Sequence, residues 1–182
     1  DSIVLDVGAN FGQLSVLLSK YRNNVKVYSF EASKYIFEIL EKNLKINNVN
    51  AKLFNNLVGN ETKNDLFIKK LNISKFNTYG SNKIEKADLN NENSTNIEKI
   101  NSIKIDDVVF DKKISLMKID VQGYDLEVLK GAKNTIIKQQ MPIIFEYEED
   151  FAQDFNYTFN SFEKFIEEIK YKIEIQIDKS NY

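Results

Sequence analysis

Short apolar runs and helical stripes alternate along this chain, and together they predict its architecture. Residues 3–7 form an apolar run closing at Gly8, which predicts a strand buried on both faces. Asn10 stands as N-cap ahead of Leu14, Leu17, Leu18 and Tyr21, whose spacing predicts a helix. Residues 25–30 read as a second strand. Ser33 then caps a helix that carries Ile36, Leu40 and Leu44 on one stripe. A third strand is expected at residues 51–56 and a short fourth at 66–68.

Residues 72–96 turn polar, rich in Asn, Ser, Lys and Glu, and lose all periodicity. A loop of that length in a compact domain is expected to act as a lid or binding loop, or else to be disordered. Within it, Phe76, Tyr79 and Gly80 suit a cover over a sugar-like ligand. Residues 100–105 alternate as a strand does, and 114–121 predict a strong buried strand. A helix holding Leu126, Val128 and Leu129 follows, with Gly131 as its stop. Residues 143–145 form another strand, ending at Glu146. Asn160 and Glu163 predict a capping box for a helix bearing Phe162, Phe165, Ile166 and Ile169, and residues 171–177 alternate as a last strand. Phe151, Phe155, Tyr157 and Phe159 are expected to seat a helix on the sheet. Strands alternating with helices imply βαβ units and a mainly parallel α/β sheet.

Composition narrows the chemistry. The 182 residues carry 25 Lys+Arg against 27 Asp+Glu, so the basic excess of a nucleic-acid-binding domain is missing and no nucleic-acid partner is expected. There is no cysteine and no histidine. Thiol nucleophiles, Cys-ligated zinc and the commonest general base are thereby excluded, and proton transfer falls to Asp, Glu, Lys or Tyr. No apolar run is long enough to span a bilayer and no signal-peptide pattern opens the chain, so a cytoplasmic location is expected.

The first glycine loop selects a ligand. Asp6-Val7-Gly8-Ala9-Asn10-Phe11-Gly12 lies where a strand gives way to a helix, the place where open α/β sheets bind nucleotides. A dinucleotide fingerprint needs a second glycine where Asn10 stands, and Asp6 would set negative charge near two phosphates. That argues against an NAD-dependent oxidoreductase. An acid suits a ligand with an ammonium and a sulfonium, such as S-adenosylmethionine. Glu31 ends the second strand about twenty residues on, where an acid accepts ribose hydroxyls.

The second informative stretch runs from Leu116 to Asp125. Asp120 is expected at the carboxyl edge of a central strand, at the mouth of the site, because an ionised carboxylate is too costly in a strand interior. Strand alternation puts Lys118 on the same side, able to pair with it. Asp6 to Gly12, Phe30-Glu31-Ala32 and Lys118-Ile119-Asp120-Val121-Gln122-Gly123-Tyr124-Asp125 through Gly131-Ala132 resemble the FkbM-type methyltransferases over nearly the whole chain.

That resemblance implies a Rossmann-like class I methyltransferase fold: a mainly parallel central sheet with helices on both faces, as a single domain over residues 1–182 of a longer protein. It implies S-adenosylmethionine as cofactor, held by Asp6, Gly8, Ala9, Asn10, Gly12, Glu31, Ala32 and Asp120. The expected reaction is O-methylation of a hydroxyl on a sugar, glycan or related small molecule, with Asp120 the first candidate for the base and Glu146 the second. Asp125 and Tyr124 rank below them. Asp120, Asp125 and Glu146 are possible oxygen ligands, but no spacing is diagnostic of a metal and none is expected. Gln122 stands where the family often has Glu, which keeps open an inactive, methyltransferase-like interaction module as the alternative.

Overall fold

The computed structural model describes residues 1–22, 24–69 and 97–175. The lid assigned to residues 72–96, with Phe76 and Tyr79, lies outside them. A five-stranded sheet is built from β1 (Ser2–Val7), β2 (Val25–Phe30), β3 (Lys52–Phe54), β7 (Ile114–Ile119) and β8 (Ile143–Phe145). Its order is β3-β2-β1-β7-β8 and every pairing is parallel. Beside it, β4 (Leu57–Val58), β5 (Lys63–Lys69) and β6 (Ile97–Ile103) form a smaller sheet in the order β4-β6-β5.

Strand alternation distributes the helices between the two faces. Ile3, Leu5 and Val7 of β1, Tyr28 and Phe30 of β2, and Met117 and Ile119 of β7 enter the main core. There they meet Leu126, Val128 and Leu129 of α3 (Asp125–Gly131), Ile136 of α4 (Lys133–Gln139) and Phe162, Phe165 and Ile166 of α6 (Phe159–Glu168). Asp6 points to the opposite face and meets Ser15 of α1 (Gln13–Tyr21). On α2 (Lys34–Ile46) the stripe Ile36, Leu40 and Leu44 is buried, and Ser33 caps the helix by accepting from the Ile36 N–H, as the sequence predicts. A short helix α5 (Glu149–Gln153) follows β8.

Several local expectations need correction. The N-cap of α1 is Gly12, not Asn10, which takes a left-handed conformation (φ 49°) instead. The buried side of α1 is Ser15, whereas Leu17 and Tyr21 of the expected apolar stripe are 53% and 77% exposed. A polar residue wins that face because a buried carboxylate needs it. The third strand is shorter than expected, since the chain leaves the sheet after Phe54 and Leu57–Val58 pairs with β6 instead. β6 ends at Ile103, and Ile105 opens a 3-10 turn (Ile105–Asp107) in which it is fully buried. β7 stops at Ile119, so Asp120 and Val121 are loop.

The α6 box uses Thr158 and Ser161 in place of Asn160 and Glu163. Residues 171–175 are not strand; Tyr171 instead donates to the carbonyls of Ile136 and Met141. α3 does end at Gly131, but without a left-handed cap, and α4 begins after a single residue.

A Cβ on Gly131 would stand 1.9 Å from the carbonyl oxygen of Gly59, which is backbone and has nowhere to go. Gly131→Ala should therefore destabilise the protein by about 1–3 kcal/mol despite alanine's better helix propensity. Urea unfolding reads this directly, and a neutral or stabilising result would mean α3 and the β4 turn do not pack this closely.

Candidate active site

The strand order reverses between β1 and β7, and the chain diverges there into a crevice at the carboxyl ends of the strands. Gly8 (φ 73°) turns the chain at that point; a Cβ on it would meet the Asp120 carbonyl oxygen at 2.0 Å. The Asp120 N–H donates to the Val7 carbonyl (3.1 Å), so the two loops are stitched together where they part. Asn10 follows in left-handed geometry, and its N–H donates to Glu31 Oε2 (3.0 Å), while Ser33 N–H donates to Oε1 (2.9 Å). Glu31 thus ties the glycine turn to the start of α2. Each of its oxygens keeps a lone pair for a further donor.

Two clefts open here. The first holds about 590 Å³ and is lined by Gly8, Asn10, Glu31, Ala32, Asp120 and Gln122 together with apolar Phe30, Ile36, Leu57, Val58 and Val121. The second holds about 1530 Å³ and is lined by Asp6, Gly8, Ala9, Asn10, Lys118, Asp120, Gln122, Glu146, Glu148 and Phe151 among others. Gly8, Asn10, Asp120 and Gln122 border both. Every expected cofactor residue therefore lines at least one cleft except Gly12. A Cβ on Gly12 would strike Leu40 Cδ1 at 2.5 Å, so its visible part is to let α1 start close against α2. Phe151 lines the second cleft, while Phe155 packs edge-on against Tyr124.

Asp6 is fully buried. Ser15 Oγ donates to its Oδ2 (2.7 Å) and lies 2.8 Å from Ser29 Oγ; Oδ1 faces Lys118 Nζ at 3.6 Å. Loss of solvent raises its pKa, and Lys118 opposes that rise most. Asp120 is held on both oxygens, by Lys118 Nζ (3.2 Å) and by Gln122 Nε2 (3.2 Å). At Glu146, desolvation first, then the charges of Asp120 and Glu148, push the pKa up against the pull of Lys118. Asp125 is buried at the start of α3, accepting from the Gly123 N–H (3.1 Å), and burial pushes it up to about 7. Burial also pushes Glu31 up to about 7, against the pull of its two N–H donors.

Sequence reading missed Ser15, Ser29 and Glu148. Ser15 offers a signal in retrospect, as a polar residue within an apolar helix close to a strand acid. Gln122 is a non-glycine at φ 53°, a strained geometry that clusters at functional sites and that only the fold reveals. The amide oxygens of Asn10 and Gln122 are both shut off from solvent without a hydrogen-bond partner. No group of three or more acidic side chains among the described residues is arranged to hold a metal ion.

Residues 6–173 match the family described as the methyltransferase FkbM domain. The chain belongs to that family. Among solved structures it is similar to the crystal structure of methyltransferase FkbM from Methylobacillus flagellatus KT, at 15% sequence identity and a TM-score of 0.58. The match covers 92% of this chain and 37% of that one, so this chain spans well under half of that neighbour's length. No curated protein matches the sequence. The family and the parallel sheet agree with what the first glycine loop and the Lys118 to Ala132 stretch imply. No helix among the described residues is long and apolar enough to cross a membrane.

The raised carboxyls make stability depend on pH. In the unfolded chain Glu31 and Asp125 release their protons near 4.5 and 3.8; in the folded FkbM domain both hold them to about 7. Folding therefore takes up protons between those values, and this contribution is full at low pH and lost as pH rises through 7. The ligand-free domain should lose stability from about pH 5 to pH 7, and the Glu31→Gln, Asp125→Asn double variant should flatten that slope. Urea unfolding across the interval checks it; a wild-type slope of the opposite sign would contradict the burial argument.

Proposed function

We propose that this FkbM-family domain is an S-adenosylmethionine-dependent methyltransferase that transfers a methyl group to a hydroxyl of a sugar, glycan or related small molecule. The observation that carries this reading is the pairing of the two clefts across Gly8, Asn10, Asp120 and Gln122. The first sets Glu31 among Phe30, Ile36, Leu57 and Val58; the second holds Glu146 with Glu148 and Phe151.

The residues fit the cofactor. Phe30, Ile36, Leu57 and Val58 give a flat apolar slot for an adenine, with Glu31 and Ala32 at its edge for the ribose. Asp120 on the border of both clefts, with Asp6 buried beneath it, makes this end of the site acidic, which suits a ligand with an ammonium and a sulfonium. The unpartnered Asn10 and Gln122 oxygens are acceptors suited to a ligand with N–H or O–H groups. When bound, S-adenosylmethionine supplies a methyl group already activated by its sulfonium.

The protein's part is to align the acceptor and to take its proton. Of the two expected acids, the contacts favour Glu146 for the proton. Asp120 is held by Lys118 on one oxygen and by Gln122 on the other, which suits it to orienting a ligand. Glu146, crowded by Asp120 and Glu148, binds a proton more readily and stands open to the second cleft. Phe151 on the same wall offers an apolar surface for a sugar ring.

Isothermal titration with S-adenosylhomocysteine and with NAD tests the cofactor. Binding of the first alone is expected, and binding of NAD alone would overturn the reading. Transfer of labelled methyl to a panel of glycans and small hydroxyl compounds then tests the acceptor. With an active acceptor, Glu146→Gln should cut kcat by about a hundredfold or more while S-adenosylhomocysteine affinity stays within about threefold. Equal losses in both would make Glu146 a binding residue only.

A further inference from the structure

Among the side chains that line the two clefts, Lys118 is the one that carries a positive charge. It sits on β7 opposite Asp6 of β1 in the sheet register, on the face away from the main core. Its ammonium makes three contacts that join separate parts of the site. It donates to the Gly8 carbonyl (3.1 Å), pairs with Asp120 Oδ2 (3.2 Å) and faces Asp6 Oδ1 (3.6 Å). The side chain is only 22% exposed, so these contacts are poorly screened.

We propose that Lys118 is a positioning residue for the methyl-donor site: it neutralises the buried Asp6 and clamps the Gly8 turn to Asp120, holding the donor loop in the shape that binds. This deepens the function proposed above and rests on it. Asp6 is the key to the argument. It lies under the loop with no solvent contact, and Ser15 satisfies only one of its oxygens. The groups that face it are Ser15 on α1, backed by Ser29 on β2, and Lys118 on β7, with Asp120 beyond as a like charge. Ser15 can donate only one hydrogen, and no other cation among the described residues opposes the cost of burying this acid.

Removing Lys118 therefore leaves two acids side by side, one of them buried, and frees the Gly8 carbonyl from its tether. Both effects reach the same turn, whose N–H groups and missing Cβ shape the floor of the two clefts. A Lys118 that served only the sheet would pack β1 against β7 and have no bearing on ligand affinity.

Isothermal titration of S-adenosylhomocysteine into the wild type and four variants separates these cases. Lys118→Met should weaken binding about tenfold, the loss of one charge-assisted contact. Lys118→Arg, which keeps the charge, should stay within about threefold. Asp6→Asn removes the acid that needs the cation, so Lys118→Met on the Asp6→Asn background should cost less than about threefold more. Should Lys118→Met not fold, Lys118→Gln takes its place, since it removes the charge and keeps a hydrogen-bond donor on a side chain one atom shorter. Unchanged affinity in Lys118→Met, failure of arginine to rescue, or the full tenfold loss on the Asp6→Asn background would each overturn the proposal. The wild-type titration is the separate control: if wild type does not bind the nucleoside, the donor reading fails, whatever the variants do.

Discussion

Where β1 and β7 part, the Val7 carbonyl accepts the Asp120 N–H and the bare Cα of Gly8 lies against the Asp120 carbonyl. Two parallel strands run side by side up to this point, after which one chain turns toward α1 and the other toward α3. A parallel sheet leaves a crevice wherever its order reverses, and the crevice is usable only if the two loops approach closely without filling it. Any side chain at position 8 would collide with backbone, so the crevice depends on that glycine. Glu31, the left-handed Asn10 and the carboxylates of Asp6 and Asp120 are all arranged around this contact.

The site concentrates what is costly elsewhere. Asp6 and Asp125 are buried acids, and Asn10 and Gln122 are non-glycines in left-handed geometry with unpartnered amide oxygens. Such groups are tolerated because the surrounding sheet is overdetermined: Ile3, Leu5, Val7, Tyr28, Phe30 and Met117 are packed to near-complete burial on its other face. The apolar face supplies the stability that the polar face uses.

Asp120, Glu146 and Glu31 illustrate how identical chemistry is given different jobs by surroundings. Asp120 has a lysine on one oxygen and an amide on the other, which fix its orientation. Glu146 loses solvent and faces Asp120 and Glu148, and its proton affinity rises despite the pull of Lys118. Glu31 accepts two backbone N–H groups and anchors the loop before any ligand arrives. Sequence spacing made all three visible as acids at strand ends, but nothing in spacing distinguishes an anchored carboxylate from a proton-binding one.

The strands of the main sheet, the α2 cap and stripe, the glycine turn and the acids that close β1, β2, β7 and β8 were legible in the sequence. Their signals are local: an apolar run, a period of 3.6, a glycine at a strand end. Tertiary structure alone decided which face of α1 is buried, because Ser15 is recruited by an acid nine residues away rather than by its own hydrophobicity. It also decided that residues 57–58 join the second sheet, that Tyr171 docks by hydrogen bonds instead of pairing as a strand, and that Lys118 serves Asp6 and Gly8 as well as Asp120. Those outcomes rest on contacts between segments far apart in the chain, and periodicity carries no information about which distant partner a polar side chain will find.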